Sequence, residues 1–367
     1  MRMNFRDLCD RRLDIVKEQK EKNGCPVIGT LCSYVPVEII HSFGIIPVRI
    51  WGESENIHRA DALLQTFICP PARHFMALGL EGHYNFLDGI VHCYTCDATC
   101  GLFNIWVRNL KPEFSHLISL PYMAGDEALA YTITEFGNFI EKIESFIKKK
   151  FSRDSLEKSI ILYDEARSLL KKVYHLKRGG IPVSYTEIFS MNRCIQSLPV
   201  EMLIPQLADY VKSAGNAKPA GGKRRKILIS GSVVSNTSLI TFIEERGGDI
   251  VADDTCMGLR LLRNVKPEGD PLESLARYYI AGPMCASRAD FPSRKAYLLD
   301  MLTDFDIDAV IFIHQKFCDP HLSDHPFLKK ILDEEEIPHF QFELGGDGFT
   351  GQVRTRIESF FEMLERR

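Results

Sequence analysis

The chain has 367 residues, a hydrophobic fraction of 45%, a charged fraction of 26% and a net charge of −4. This composition is that of a globular protein with two or three domains. It excludes a basic nucleic-acid-binding surface, and no apolar run approaches the roughly 18 residues of a membrane span. Because the charged N-terminal segment also lacks an apolar signal core, we expect a cytoplasmic protein that binds neither nucleic acid nor membrane.

The first part of the chain predicts an alternation of strands and helices. Residues 1–23, rich in charged side chains with sparse Leu and Ile, suit an exposed amphipathic helix. Pro36 in a first turn and Gly44 at an end delimit a helix between two apolar runs. Another helix passes through residues 103–108. Strands are expected at 26–31, 45–50, 89–91 and 116–120. The order strand, helix, strand predicts a parallel sheet.

From about residue 126 the strand signals disappear. Residues 127–176 and 184–214 have the apolar spacing of helices, which predicts a helical insert. The basic segment 218–226 is interpreted as a flexible link. A second unit follows, with strands expected at 227–232, 249–252, 308–314 and 334–342 and helices at 238–246, 290–304 and 350–365. We therefore predict an α/β fold of two flavodoxin-like (Rossmann-type) parallel-sheet domains with a helical insert. The expected division is 1–125, 126–222 and 223–367.

Eleven cysteines are the main chemical signal in the sequence. A reducing cytosol disfavours disulfides, and the odd count does not suggest a disulfide framework. Cys9, Cys25 and Cys194 are interpreted as small buried side chains, a common role of free cysteine. Several of the other cysteines follow predicted strands, and we interpret these as candidate metal ligands.

Three predicted strands each run into a cysteine at their carboxyl end: Cys32, Cys96 and Cys318. Open α/β sheets bind ligands at the carboxyl ends of their strands, and cysteine thiolates hold iron–sulfur clusters, usually four per cubane. A cluster held by these three thiolates would lie between the two sheet domains. It would leave one iron open to water or substrate, as a catalytic metal site requires.

Cys96 also belongs to a local segment with the spacing Cys93-x-x-Cys96-x3-Cys100. The spacing is loosely similar to that of ferredoxins, and a zinc ion or a redox pair would also fit it. Against zinc, the sequence has no second CxxC motif. The candidate histidines His92 and His314 lie inside apolar strand runs, where we interpret them as hydrogen-bonded structural residues.

Other polar features near the strand ends carry less weight. The segment 229–236 follows a strand and opens a helix, but it has neither the dinucleotide nor the P-loop motif, so we interpret it as a plain helix N-terminus. Five acidic side chains near the expected strand ends could serve as acids or bases, although aspartate is also common in the turns that follow strands. They are Glu53, Asp97, Asp253, Asp254 and Asp319. No catalytic residue is assigned.

Short stretches along nearly the whole chain resemble the family of 2-hydroxyacyl-CoA dehydratase and benzoyl-CoA reductase subunits. They include Thr95-Cys96-Asp97, Asp253-Asp254-Thr255-Cys256 and Phe317-Cys318-Asp319-Pro320. The remaining stretches are 29–38, 43–47, 81–89, 229–231, 243–249, 257–260 and 351–357. Together they make the resemblance specific.

The resemblance implies two flavodoxin-like domains with a helical part and a [4Fe-4S] cluster held by Cys32, Cys96 and Cys318. It also implies an ATP-hydrolysing iron–sulfur activator protein that injects one low-potential electron, a paralogous partner subunit and an acyl-CoA substrate. In the dehydratases of this family, the thioester becomes a ketyl radical and loses its 2-hydroxyl group as water, while the open iron binds substrate oxygen. The benzoyl-CoA reductases use related subunits to reduce an aromatic ring.

The chain departs from the simplest family pattern in its additional thiols. Cys93 and Cys100 flank Cys96 and are further candidate metal ligands, and Cys69 and Cys285 lie near expected strand ends. The related double-cubane cluster proteins, which form homodimers and reduce small molecules with an [8Fe-9S] cluster, are similar in this respect.

Three hypotheses therefore stand side by side. The chain is a one-cubane subunit acting on an acyl-CoA, a double-cubane reductase without CoA, or a non-catalytic partner subunit that relays electrons. We favour the first, because the three matched motifs account for a complete one-cubane site.

Overall fold

The first of two parallel sheets forms near the N-terminus. The structure is a computed structural model that describes residues 4–219, 224–282, 285–288 and 290–366. The strands are β1 (Val27–Thr30), β2 (Ile46–Arg49), β3 (Gly89–Cys93) and β4 (Phe114–Ile118). All neighbouring strands run parallel, in the order β2-β1-β3-β4. The chain therefore changes direction along the sheet between β1 and β3, and this switch point is where such sheets bind ligands.

The second sheet repeats the plan of the first. Its strands are β5 (Arg225–Gly231), β6 (Gly248–Asp254), β7 (Ala309–Gln315) and β8 (His339–Leu344). They pair in parallel in the order β6-β5-β7-β8. The predicted α/β fold class, with two flavodoxin-like parallel sheets, is confirmed. The domain boundaries at 125/126 and 222/223 stay a prediction, and residues 220–223 of the expected link lie outside the described residues.

Fourteen α-helices surround the two sheets in the described part of the chain. Those that belong to the first unit are α1 (Phe5–Asp10), α2 (Arg12–Asn23), α3 (Val37–Ser42), α4 (Pro70–Leu80) and α5 (Asp97–Leu110). The helical insert consists of α6 (Asp126–Ile147), α7 (Arg153–Arg178), α8 (Tyr185–Ser197) and α9 (Val200–Gly215). The second unit adds α10 (Thr237–Glu245), α11 (Pro271–Ala281), α12 (Phe291–Asp304), α13 (Asp319–Glu334) and α14 (Gly351–Glu365).

Helix α7 connects the two sheets. Its Arg167 forms a buried ion pair with Glu38 of α3, and its Tyr174 hydroxyl donates to the carboxylate of Asp253 on β6. One continuous cluster of buried apolar side chains also contains residues of both sheets, such as Val27 and Ile311. Because the two sheets share a helix and a core, their carboxyl edges are held in a fixed relation.

The structure corrects several predicted element bounds. Residues 1–23 form two helices, since the first ends at Asp10 and the second starts at Arg12. Strand β3 continues through His92 to Cys93 instead of ending at residue 91. Strand β6 extends to Asp254, and helix α11, which packs against α6 and α7, was not predicted. Among the described residues, no helix is both long enough and apolar enough to cross a membrane.

Candidate metal centre

The carboxyl edges of the two sheets meet at a cleft. The Ser33 hydroxyl, just after β1, donates to the carbonyl of Cys256, just after β6, at 2.6 Å. The Arg288 guanidinium, in the loop that also carries Cys285, donates to the carbonyl of Tyr94 at 3.0 Å. These cross-links bring loops from both sheets to one place, as expected when two switch points face each other.

Three cysteines occupy the N-cap positions of helices around this cleft. Cys69 precedes α4, Cys96 precedes α5 and Cys318 precedes α13. The unpaired backbone N–H groups of a helix N-terminus favour negative charge, so each position would stabilise the thiolate that forms when a metal displaces the thiol proton. Two of these cysteines were predicted at strand ends. Cys69 was noted in the sequence only as an additional thiol.

Cys96 lies near both of the other predicted ligands, Cys32 and Cys318. Burial raises the pKa of its thiol to about 12, hydrogen bonds from Thr99 oppose the rise, and the nearby Cys32 and Cys318 thiols add to it. The Cys96 sulfur lies 3.2 Å from the Thr99 hydroxyl. The structure therefore brings together the three thiols that the strand ends and the resemblance selected.

Cys32 and Cys318 approach the cleft from opposite sheets. The Thr95 hydroxyl donates to the Cys32 sulfur at 3.4 Å. Burial, together with the nearby Cys69 thiol, raises the pKa of Cys318 to about 12. Phe317, the residue before Cys318, has φ of 63°, a left-handed conformation that is rare for a bulky side chain. The turn at the end of β7 thus holds Cys318 in place at a cost in backbone strain.

Cys69, which the sequence indicated as an additional thiol near an expected strand end but not as a ligand, also lies in this group. Burial raises the pKa of its thiol to about 12, with a further contribution from Cys96. The Cys69-Pro70 pair is a further sequence signal for its position, because proline is favoured in the first turn of a helix.

Cys93 and Cys100 lie deeper in the first unit. Cys93 is the last residue of β3, is fully buried and donates to the carbonyl of Tyr34 at 3.0 Å. The Cys100 sulfur lies 3.7 Å from Nε2 of His92. Burial raises the pKa of both thiols, and Cys32 contributes to each. Both thiols therefore have protein partners as well as a neighbouring candidate ligand.

A second group of donor atoms lies beside the first. The sulfurs of Cys256 and Cys285 and a ring nitrogen of His321 all lie within 4.8 Å of one another, and this is the one such group in the part of the chain that the structure describes. Nε2 of His321 is buried and has no hydrogen-bond partner among the described residues. The pKa of Cys285 lies well below its ordinary value because Cys256 hydrogen-bonds to it, with support from His321 and Arg260. Two sulfurs and one imidazole are a favourable ligand set for a soft metal.

The loop that carries Cys256 is anchored by a buried aspartate. Asp253 accepts a hydrogen bond from Tyr174 and one from the backbone N–H of Leu259, the latter at 3.3 Å. A Cβ atom at Gly258 would lie 1.4 Å from Oδ1 of Asp253. Only glycine therefore fits at this turn, and burial raises the pKa of Asp253 in its structural role.

Asp254 holds the same loop through two buried arginines. Its carboxylate contacts Nε of Arg260 at 2.5 Å and Nη2 of Arg294 at 2.9 Å. Arg294 also reaches Asp324 of α13 at 2.9 Å, and Arg260 approaches the Cys256 sulfur at 3.8 Å. This network fixes α12, and α13, which carries His321, to the end of β6.

The remaining acidic, cysteine and histidine candidates differ in their burial. Glu53, Asp97 and Asp319 are exposed. Cys9 and Cys194 are buried as expected, whereas Cys25 is partly exposed. The predicted structural histidines His92 and His314 are buried. Neither ring nitrogen of His314 has a hydrogen-bond partner in the described part of the structure, so the expected hydrogen bonds are absent there.

Comparisons with known proteins agree on one family. The model of the family described as 2-hydroxyglutaryl-CoA dehydratase, D-component, matches residues 32–364. The (R)-phenyllactyl-CoA dehydratase beta subunit of Clostridium sporogenes is 28% identical, with 98% of each chain covered. A benzoyl-CoA reductase subunit of Thauera aromatica is 29% identical over 96% of this chain and 95% of its own. The (R)-2-hydroxyglutaryl-CoA dehydratase beta subunit of Acidaminococcus fermentans is 23% identical over 93% of both chains.

Proposed function

The chain belongs to the 2-hydroxyglutaryl-CoA dehydratase D-component family, and from that membership we propose that it is the iron–sulfur subunit of a 2-hydroxyacyl-CoA dehydratase-type enzyme. It would hold a [4Fe-4S] cluster through Cys32, Cys96 and Cys318. It would take a low-potential electron from an ATP-hydrolysing activator, and would dehydrate or reduce an acyl-CoA thioester through a ketyl radical. We place this activity in the cytoplasm.

The observation that carries the proposal is the convergence of three thiols from two sheets. Cys32 follows β1, Cys96 follows β3 and Cys318 follows β7. Cys32 and Cys318 both lie close enough to Cys96 to raise the pKa of its thiol. Each thiolate of a cubane binds a different iron, so cubane ligands need not crowd as closely as the ligands of a single ion.

The chemistry of these thiols fits the proposed cluster. Burial raises the pKa of Cys96 and Cys318 to about 12, so without a cation they stay protonated. Metal binding would release these protons and place the negative charges at helix N-termini that favour them. When bound, the cluster would supply one-electron chemistry next to an open coordination position. The chain itself supplies a fixed frame of thiols.

The names of the relatives support a partner subunit. The relatives from C. sporogenes and A. fermentans are named as beta subunits, and the relative from T. aromatica is also named as one subunit of its enzyme. We propose that this chain likewise pairs with a paralogous subunit, and that the acyl-CoA and the activator bind to that assembly.

A second candidate function rests on the group formed by Cys256, Cys285 and His321. Its donors lie within 4.8 Å of one another. It also adjoins the first group of thiols, since Cys32 raises the pKa of Cys256 and Cys285 raises the pKa of Cys318. With these residues the cleft holds more donors than one cubane uses, and two fused cubanes require more ligands than one. This observation favours a double-cubane [8Fe-9S] reductase of small molecules, which would pair with itself.

Iron content and oligomeric state distinguish the two candidates. The chain, expressed alone and reconstituted anaerobically, is expected to bind about four irons per chain and to pair stably only with a paralogue. Iron and sulfide analysis with light scattering measures both quantities. About eight irons per chain in a self-paired dimer would contradict the acyl-CoA proposal and support the second candidate. A chain that binds one cubane but has no activity with any paralogue would fit the electron-relay hypothesis.

Substitution of Cys285 provides an independent test of the same choice. If one cubane is held by Cys32, Cys96 and Cys318, Cys285→Ser is expected to retain the full iron content of the wild type. The matched control is Cys194→Ser, a buried cysteine outside the cleft. A loss of about half of the iron in Cys285→Ser alone would show that the second donor group holds part of the cluster.

A further inference from the structure

A small cavity lies next to Cys32, on the side of β1 and β2 that faces α7 and α11. Its volume is about 60 Å³. Cys32, Thr30 and Arg49 line it from the first sheet, and Tyr163, Gln196 and Leu261 line it from the surrounding helices and turn. Among the described residues, no aspartate or glutamate lines it.

Arg49 is a buried cation without a countercharge in the described part of the chain. It ends β2, pairs in register with Thr30 and is 5% exposed. Its Nε and Nη1 atoms are shielded from solvent and have no hydrogen-bond partner among the described residues. The other arginine at the cavity, Arg167, is paired with Glu38 and Asp164. Unlike Arg167, Arg49 can therefore pair its positive charge with a bound ligand.

An unpaired buried guanidinium is costly, since burial removes its hydration and nothing replaces it. Guanidinium groups bind carboxylates and related oxyanions through charge-assisted hydrogen bonds. A cavity needs about 10–15 Å³ per water molecule, so this one holds roughly four to six waters. That space suits an anion of about three or four non-hydrogen atoms.

We propose that the cavity is a binding site for a small carboxylate or similar oxyanion, held by Arg49. Cys32 lines the same cavity, so, resting on the proposed function, the bound anion lies beside the iron that Cys32 would hold. The site therefore takes either a small reactant or the carboxylate-bearing end of a short acyl group. Large aromatic acids do not fit.

Calorimetric titration of the full-length, anaerobically purified chain with sodium acetate tests the proposal. Wild type is expected to bind one acetate per chain, and neutral acetamide, of the same shape, is not expected to bind. Arg49→Met keeps the length of the side chain but removes its charge, and should abolish binding. Arg49→Lys keeps the charge and should weaken binding by about tenfold, because a lysine lacks the planar donor fork. Arg108→Met removes an exposed arginine and serves as the control for adventitious anion binding.

Folding and iron content are followed in the same samples. Because Arg49→Met removes an unpaired charge, its urea midpoint without acetate should equal or exceed that of wild type, and acetate should raise the midpoint of wild type only. Acetate binding should persist in iron-free protein, so a failed iron assignment leaves this result intact. Equal acetate affinity in wild type and Arg49→Met, or no binding to wild type at millimolar acetate, would overturn the proposal.

Discussion

Cys96→Ser is expected to lose nearly all of its bound iron and all catalytic activity. The Cys96 thiol lies near Cys32 and Cys318, and its removal leaves too few thiolates for the proposed cubane. Serine is a favoured N-cap residue, so the start of α5 should be preserved and the loss should not reflect unfolding. Iron per chain after anaerobic purification, with the visible absorption of the cluster, measures the effect.

Cys25→Ser is the matched control for this substitution. Cys25 lies before β1, at the opposite end of the sheet from the cleft, and is partly exposed. It should retain wild-type iron and activity. Cys32→Ser and Cys318→Ser should behave like Cys96→Ser. Full iron content in Cys96→Ser, with unchanged circular dichroism, would show that the cluster is held elsewhere.

The sequence predicted the parts of this arrangement that depend on local patterns. Apolar runs followed by polar segments located all eight strands, because buried parallel strands form continuous hydrophobic stretches. The last strand was expected to begin at residue 334, which ends α13, and it begins at His339. The carboxyl ends of those strands then selected Cys32, Cys96 and Cys318. The parallel pairing in both sheets follows from the alternation of strands and helices, whereas their strand order is seen only in the structure.

The parts that the sequence did not reveal depend on long-range packing. The predicted strand ended at residue 91, yet β3 continues to Cys93, and the ring of His92 is buried against Phe103 with ring centroids 6.2 Å apart. Helix α11 packs against α6 and α7, and no local sequence pattern predicts this contact. The donor group of Cys256, Cys285 and His321 assembles from three separate segments. Neither spacing nor periodicity relates such segments, so only the folded structure brings them together.

Asp254→Asn is expected to lower the free energy of unfolding by about 3–5 kcal/mol, the usual cost of removing one partner from a buried ion pair. Asp254 is 2% exposed. Its carboxylate contacts Arg260 at 2.5 Å and Arg294 at 2.9 Å. Asparagine preserves the shape of the side chain but leaves Arg260 facing a neutral amide. Since Arg260 also approaches Cys256, the loop that carries Cys256 should loosen with it.

The effect should depend on pH in one direction. Burial alone would raise the pKa of Asp254, but Arg260 and Arg294 hold it well below the ordinary carboxyl value. A carboxyl group whose folded pKa is depressed contributes its full stabilisation above its unfolded pKa of about 3.9, and loses it as the pH falls toward the folded value. The difference in stability between wild type and Asp254→Asn should therefore be constant from about pH 5 to 8 and shrink below about pH 4.

Asp306→Asn is the control that shows how much stability is lost when an exposed carboxylate is removed instead of the buried one. Asp306 lies in the same unit, its side chain is 63% exposed, and it pairs with Lys226 at 3.2 Å. Exposed ion pairs contribute at most about 1 kcal/mol, so this control should unfold almost like wild type at every pH. Urea unfolding followed by circular dichroism, on full-length chains with equal iron content, measures all three proteins. If Asp254→Asn matched the control, the buried carboxylate would not be holding the end of β6 to α12 and α13, and another contact would have to fix the candidate metal site.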